Sequence, residues 1–221
     1  IGIQPDILVC RTERPLSADI RRKIALFCNV DFACVVESPD VKSIYEIPLR
    51  LHDQGLDREV CERLRLVTKD PDLRPWRTIV DRVLRPTHET RIAVVGKYTD
   101  LHDAYKSVQE ALIHGGIAHD SHVQIEWLSS DLFTDQEAAG TLLAGYDGLL
   151  VPGGFGVRGV EGMIEAVRWA REHNLPFFGI CLGMQLATIE VGRHLAGLEG
   201  AHSTEFDPDT AHPVIDLMAE Q

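Results

Sequence analysis

The stretch most able to do chemistry is Gly179-Ile180-Cys181-Leu182-Gly183. Glycines two before and two after a cysteine suit a sharp strand-to-helix elbow. The central residue of such an elbow takes a strained backbone conformation. The thiol then stands above the carboxyl end of a sheet, where α/β sites form. It also sits at a helix N-terminus, whose positive dipole end favours thiolate over thiol. That arrangement makes Cys181 a nucleophile for a carbonyl carbon, with the N–H of Leu182 as one oxyanion donor. Alone, the pattern fits a buried thiol in a strand–helix turn equally well.

Two companions strengthen the catalytic reading. Val151-Pro152-Gly153-Gly154-Phe155-Gly156 follows a strand-like run one βα unit before the elbow. Glycine-rich turns after strands expose backbone N–H groups and let a substrate approach the main chain. An N–H near Gly153 is the candidate second oxyanion donor. Gln185, four residues after Cys181, lies on the same helix face, where its amide can bond an amide or carboxylate substrate. A plain loop and a solvated helix glutamine are the ordinary alternatives.

Positioning these groups requires a sheet, and the second half of the chain supplies the pattern. Residues 92–95, 123–127, 148–151 and 177–180 read as strands. Residues 103–114, 135–144, 160–172 and those from Leu182 read as helices. Strands alternating with helices predict a parallel sheet with helices on both faces. From about residue 200 the composition is that of turns.

The first half is less regular. Residues 6–10 read as a buried strand, Ser17 as the N-cap of a helix through Phe27, and 33–36 as an apolar run. Ser43 suits a helix cap, with Pro48 delaying or breaking the helix. Residues 57–67 are amphipathic, and Trp76, Ile79, Val80 and Val83 mark a further helix. The expected organisation is one domain over 1–86, a linker at 87–90, and a second domain over 91–221.

The 221 residues carry 22 basic and 34 acidic side chains, a formal charge of −12. That balance argues against general nucleic-acid affinity and against binding an anionic membrane. No run reaches the ~20 apolar residues of a membrane span. Five cysteines, odd in number and without metal-type spacing, suit reduced thiols in a cytoplasmic protein. The N-terminus lacks a signal-peptide pattern, and Ile1-Gly2-Ile3 begins without Met, as expected of a portion of a longer chain.

Together the cysteine elbow, Gln185 and the Pro-Gly-Gly loop resemble the class I glutamine amidotransferases. Val95-Gly96-Lys97-Tyr98-Thr99-Asp100-Leu101, Asp103-Ala104-Tyr105-Lys106-Ser107-Val108, the unbroken run from Val151 to Gly162, and Ser203-Thr204-Glu205-Phe206 narrow the resemblance to the CTP synthase family. Gln4-Pro5-Asp6-Ile7-Leu8, Lys23-Ile24-Ala25-Leu26-Phe27-Cys28 and Ser43-Ile44-Tyr45-Glu46-Ile47-Pro48 resemble the end of that family's synthetase domain.

The resemblance implies an α/β architecture: the C-terminal part of a P-loop-type synthetase domain, then a flavodoxin-like parallel-sheet glutaminase domain, both incomplete. It implies ATP-dependent amination of UTP to CTP with ammonia from glutamine. Mg²⁺ accompanies the nucleotides, GTP activates, CTP inhibits, and the assembly is a homotetramer. Carried over, Cys181 attacks the glutamine amide, and Gly153 and Leu182 supply oxyanion donors. Gly154, Leu182, Gly183, Met184, Gln185 and Glu205 hold glutamine. Arg11, Pro39, Asp40 and Val41 belong to the ATP site, Lys23 to the UTP and CTP phosphates, and Lys106 lies near the GTP site. No metal ligand is assigned.

The sequence departs from the family in three ways. Neither His194, His202 nor His212 has a Glu two residues later, so the His-x-Glu base pair is missing. His202 stands where Asn is expected. No G-x-x-x-x-G-K-[ST] loop is present. This chain by itself is therefore expected neither to make CTP nor to turn over glutamine. Other readings left open are a glutaminase subunit of another synthetase, a cysteine peptidase, and a non-catalytic module.

Overall fold

The computed structural model describes residues 2–99 and 102–218. It divides into two compact units, Ile1–Thr87 and His88–Gln221.

In the first unit, β1 (Leu8–Thr12) pairs in parallel with β2 (Val35–Pro39). Between them runs α1 (Ala18–Cys28), capped by the Ser17 side chain as expected. It ends at Asn29 in the left-handed conformation, with bonds from Asn29 N to Leu26 O and from Val30 N to Ala25 O. After Ser43 the chain makes a 3₁₀ turn held by a capping box with Glu46, and α2 (Ile47–Asp53) takes Pro48 in its first turn. Then come α3 (Leu56–Arg63) and α4 (Arg74–Leu84).

Two expectations shift here. The first strand lies two residues later than 6–10, because register with Val35–Pro39 selects Leu8–Thr12. The helix expected over 57–67 stops at Arg63. Arg65 is left-handed, and Leu66 N bonds back to Cys61 O, so the chain turns away and leaves Val67 fully exposed.

The second unit is built on β3 (His88–Gly96), β4 (Ser121–Ser129), β5 (Gly148–Val151) and β6 (Phe177–Gly179), in the spatial order β4-β3-β5-β6. Each neighbouring pair is parallel. Residues 88–90, read as linker, instead open β3, because His88, Glu89 and Thr90 pair with Ser121, His122 and Val123. The helices are α5 (Lys106–Ala118), α6 (Gln136–Leu143), α7 (Val160–Glu172) and α8 (Leu182–His194).

Ala93 and Val95 of β3, with Leu149 and Val151 of β5, form one core with α6, α7 and α8. Val94 and Leu150 alternate to the other face and are buried too. On β4, α5 approaches closely: a Cβ on Gly116 would lie 2.5 Å from Ser121 O. Beyond α8, short parallel strands β7 (His202–Ser203) and β8 (Pro213–Ile215) add a small ladder within the turn-rich end. No helix among the described residues is long and apolar enough to cross a membrane.

Candidate active site

The elbow forms as its residue types require. β6 ends at Gly179, and Ile180 N still bonds to Val151 O at 2.9 Å, tying the turn to β5. Cys181 then takes φ 52°, ψ −106°, a region that side chains rarely occupy, and α8 starts at Leu182. Cys181 O accepts from Gln185 N at 3.1 Å, closing the first turn. The flanking glycines are sterically compulsory. A Cβ on Gly179 would lie 2.6 Å from Gly183 C, and one on Gly183 would lie 2.0 Å from Val151 O. The thiol is exposed above the sheet.

Because β5 and β6 are neighbours, the loop after β5 reaches the thiol. A Cβ on Gly153 would stand 3.5 Å from Cys181 Cβ, and one on Gly154 would touch Leu182 Cδ2 at 3.4 Å. Gly153, Gly154, Cys181 and Leu182 therefore lie together at the carboxyl ends of two parallel strands. The Leu182 side chain is buried, and its backbone N–H is one of the helix-start donors without an intrahelical acceptor. Gln185 is half-buried on the first turn of α8, and Met184 is exposed beside it.

Glu205 is exposed on the turn after β7, its N–H bonded to Ser203 Oγ at 3.2 Å. That turn is anchored to the helices. Arg193 donates to both oxygens of Glu161 at 2.7 and 3.2 Å and to Ala201 O at 2.7 Å. His202 Nε2 lies 3.5 Å from Glu161, its Nδ1 accepts from Ser203 N, and its ring meets Phe206 edge-on. His202 thus links α7 to the Glu205 turn.

Lys97, in sequence only one member of the Val95–Leu101 motif, comes beside the glycine loop. It follows β3, which lies beside β5, and it is 6% exposed. Its Nζ donates to Phe155 O at 3.2 Å and to Gly156 O. Arg158 donates to Lys97 O and to Asp131 Oδ2, the latter at 3.1 Å. Burial, reinforced by the Arg158 charge, pushes the Lys97 ammonium below its usual range, while Glu205 pulls the other way. A lysine directly after a buried strand was the available signal. Asp100 and Leu101, from the same motif, lie outside the described residues.

Two of the three histidines after Cys181 are engaged elsewhere. His194 ends α8, about 20 Å along the helix from the thiol at 1.5 Å per residue. There it bonds Glu190, which is fully buried and held by Arg171 at 2.8 to 3.1 Å. His202 faces Glu161.

In the first unit, Arg11 and Asp40 form an exposed ion pair at 3.5 Å. Thr12 pairs with Pro39, and Asp40 N bonds to Thr12 O, so Arg11, Pro39 and Asp40 meet at the carboxyl ends of β1 and β2, with Val41 half-buried next in the chain. Lys23 is exposed on α1. Lys106 opens α5 and pairs with Glu110 at 3.0 Å. Among the described residues, no group of three His, Cys, Asp or Glu is arranged to hold a metal ion.

Comparison with known proteins agrees with this geometry. The family model for class-I glutamine amidotransferases matches residues 100–216, and the chain belongs to that family. Within it the match is to CTP synthase: the CTP synthase N-terminus model matches residues 1–66. The chain is 58% identical, over all of its length, to a CTP synthase of Clostridium perfringens, and 53% identical to one of Methanocaldococcus jannaschii. It spans 41% and 42% of those relatives. The solved glutaminase domain of Trypanosoma brucei CTPS, with bound acivicin, is 42% identical with a TM-score of 0.55, over 58% of this chain and 50% of that one.

Proposed function

We propose that the second unit hydrolyses glutamine at Cys181 within a protein that makes CTP. The observation that carries this reading is the placement of Gly153 against the Cys181 elbow. The Cys181 thiolate adds to the side-chain amide carbon. The oxyanion so formed is stabilised by backbone N–H groups at Gly153 and Leu182. Collapse of the intermediate expels the amide nitrogen, which takes the proton given up by the Cys181 thiol and leaves as ammonia. Water then cleaves the glutamyl thioester, releasing glutamate and the thiol. Gly154, Gly183, Met184 and Gln185 line the substrate, and the Glu205 carboxylate matches its cationic α-amino group. His194 and His202 are engaged elsewhere and take no part in proton transfer.

In the longer protein, ATP would phosphorylate the 4-oxygen of UTP, and ammonia would displace that phosphate to give CTP. The meeting of Arg11, Pro39 and Asp40 supports an ATP-phosphate and adenine role for residues 11 and 39–41. Lys23 as a pyrimidine-nucleotide ligand and Lys106 near a GTP site rest on family resemblance. So do GTP activation, CTP inhibition, the homotetramer and a cytoplasmic setting. Mg²⁺ enters only as the companion of the nucleotide phosphates. The CTP synthase match over residues 1–66 speaks against a glutaminase subunit of some other synthetase.

The test is to treat the chain with a glutamine-analogue electrophile and map the adduct by mass spectrometry. The adduct should fall on Cys181, and excess glutamine should protect it. Adducts spread over other cysteines, or indifference to glutamine, would refute the reading.

A further inference from the structure

The loop beside Cys181 cannot hold itself in place. Gly153 and Gly154 have no side chains, and Gly156 sits at φ +75°. Phe155 and Val157 are 82% and 65% exposed, so they contribute little packing. Peptide planes next to glycine rotate readily, and a rotated plane aims its N–H away from an oxyanion.

We infer that Lys97 is a positioning residue of this site: its ammonium, bound to the carbonyls of Phe155 and Gly156, holds the glycine-rich loop where Gly153 faces Cys181. A buried ammonium needs acceptors, and these two carbonyls supply them, so rotating either peptide strips a partner from a desolvated charge. The side-chain stem of Lys97 runs along the loop, 3.6 Å from where a Cβ on Gly154 would be. Arg158 braces it from behind by bonding Lys97 O and Asp131. Lys97 Nζ also lies 5.8 Å from the Phe206 ring centroid and feels the charge of Glu205. The lysine thereby joins the glycine loop to the turn that carries Glu205. Its effect on glutamine rests on the glutaminase reading; its hold on the loop does not.

The experiment compares Lys97→Met, Lys97→Gln and Lys97→Arg in the 221-residue chain, with two readouts. Amide hydrogen exchange over residues 153–157 should rise about tenfold or more in the Met and Gln variants and stay near wild type in Arg. Labelling of Cys181 by the glutamine-analogue electrophile should slow by about tenfold or more in Met and Gln, while labelling by iodoacetamide, which needs no oxyanion site, changes by less than about twofold. Unchanged loop exchange in Lys97→Met overturns the proposal, as does equal slowing of both reagents. Should the Met variant not fold, equal exchange in Gln and Arg overturns it. A wild-type chain that ignores the glutamine analogue would refute the glutaminase reading alone, with loop exchange still deciding the part played by Lys97.

Discussion

Gly153 and Cys181 face each other across two adjacent strand ends, with 3.5 Å between the Cys181 Cβ and the Cβ that Gly153 lacks. That distance is ordinary van der Waals contact, so Gly153→Ala should fold with a stability change under about 0.5 kcal/mol. Its methyl would crowd the thiol, and labelling by the glutamine analogue should drop by about tenfold or more. Gly183→Ala is the contrast: its methyl would meet Val151 O at 2.0 Å. Backbone on both sides leaves no room to yield, and a loss of about 3 kcal/mol is expected. Urea titration of both variants checks the pair.

The strain at Cys181 can be measured directly. At φ 52°, ψ −106° a side chain costs about 1–3 kcal/mol, and glycine escapes most of it. After the entropy cost of glycine, about 0.5–1 kcal/mol, Cys181→Gly should be more stable than Cys181→Ala by about 1 kcal/mol. Neither should take the analogue at this position. Equal melting temperatures would mean that the elbow is unstrained.

Glu190 offers a test of how α7 and α8 are held together. It is 0% exposed and bonds Arg171 at 2.8 to 3.1 Å. Removing only the arginine strands a buried carboxylate, so Arg171→Met should cost about 3 kcal/mol. Adding Glu190→Gln should recover part of that loss. A double-mutant cycle by chemical denaturation reads the coupling.

Tyr146 provides a pH signature. Burial, and then a hydrogen bond with Glu126, push its phenol up to about 12, although Arg91 over the ring acts against this. The unfolded phenol ionises near 10. Between these values the folded state binds more protons, so stability falls as pH rises from about 10 to 12. The stability of wild type relative to Tyr146→Phe should decline across that window and be flat below it. A flat difference throughout would refute the shift.

Much of the second unit was legible because its signals are local. The run 148–151 is apolar on both faces, as a strand buried on both sides must be. The helix read over 160–172 matches α7, which a left-handed Asn174 follows just after its His173 cap. The glycine–cysteine–glycine spacing pointed to the elbow, since only glycines fit where Gly179 and Gly183 touch backbone. The less regular segments were harder. Thr87 to Thr90 looked like linker by composition, yet His88–Thr90 join β3 because Ser121–Val123 offer a hydrogen-bonding edge. The end of α3 at Arg63 likewise follows from a left-handed arginine, which composition does not mark.

Residue types and short spacings alone pointed to the cysteine elbow and the glycine loop, because tight turns and helix starts constrain only a few neighbouring residues. The strand order β4-β3-β5-β6 was decided only in three dimensions. It sets the end of β3 beside the loop after β5, two segments more than fifty residues apart, as the bond from Lys97 to Phe155 records. It also brings Glu161, Arg193 and His202 together from two helices and the short strand β7. The physical reason is that a buried charge or a bare glycine loop is satisfied by whatever the sheet places next to it, and local sequence does not specify that neighbour.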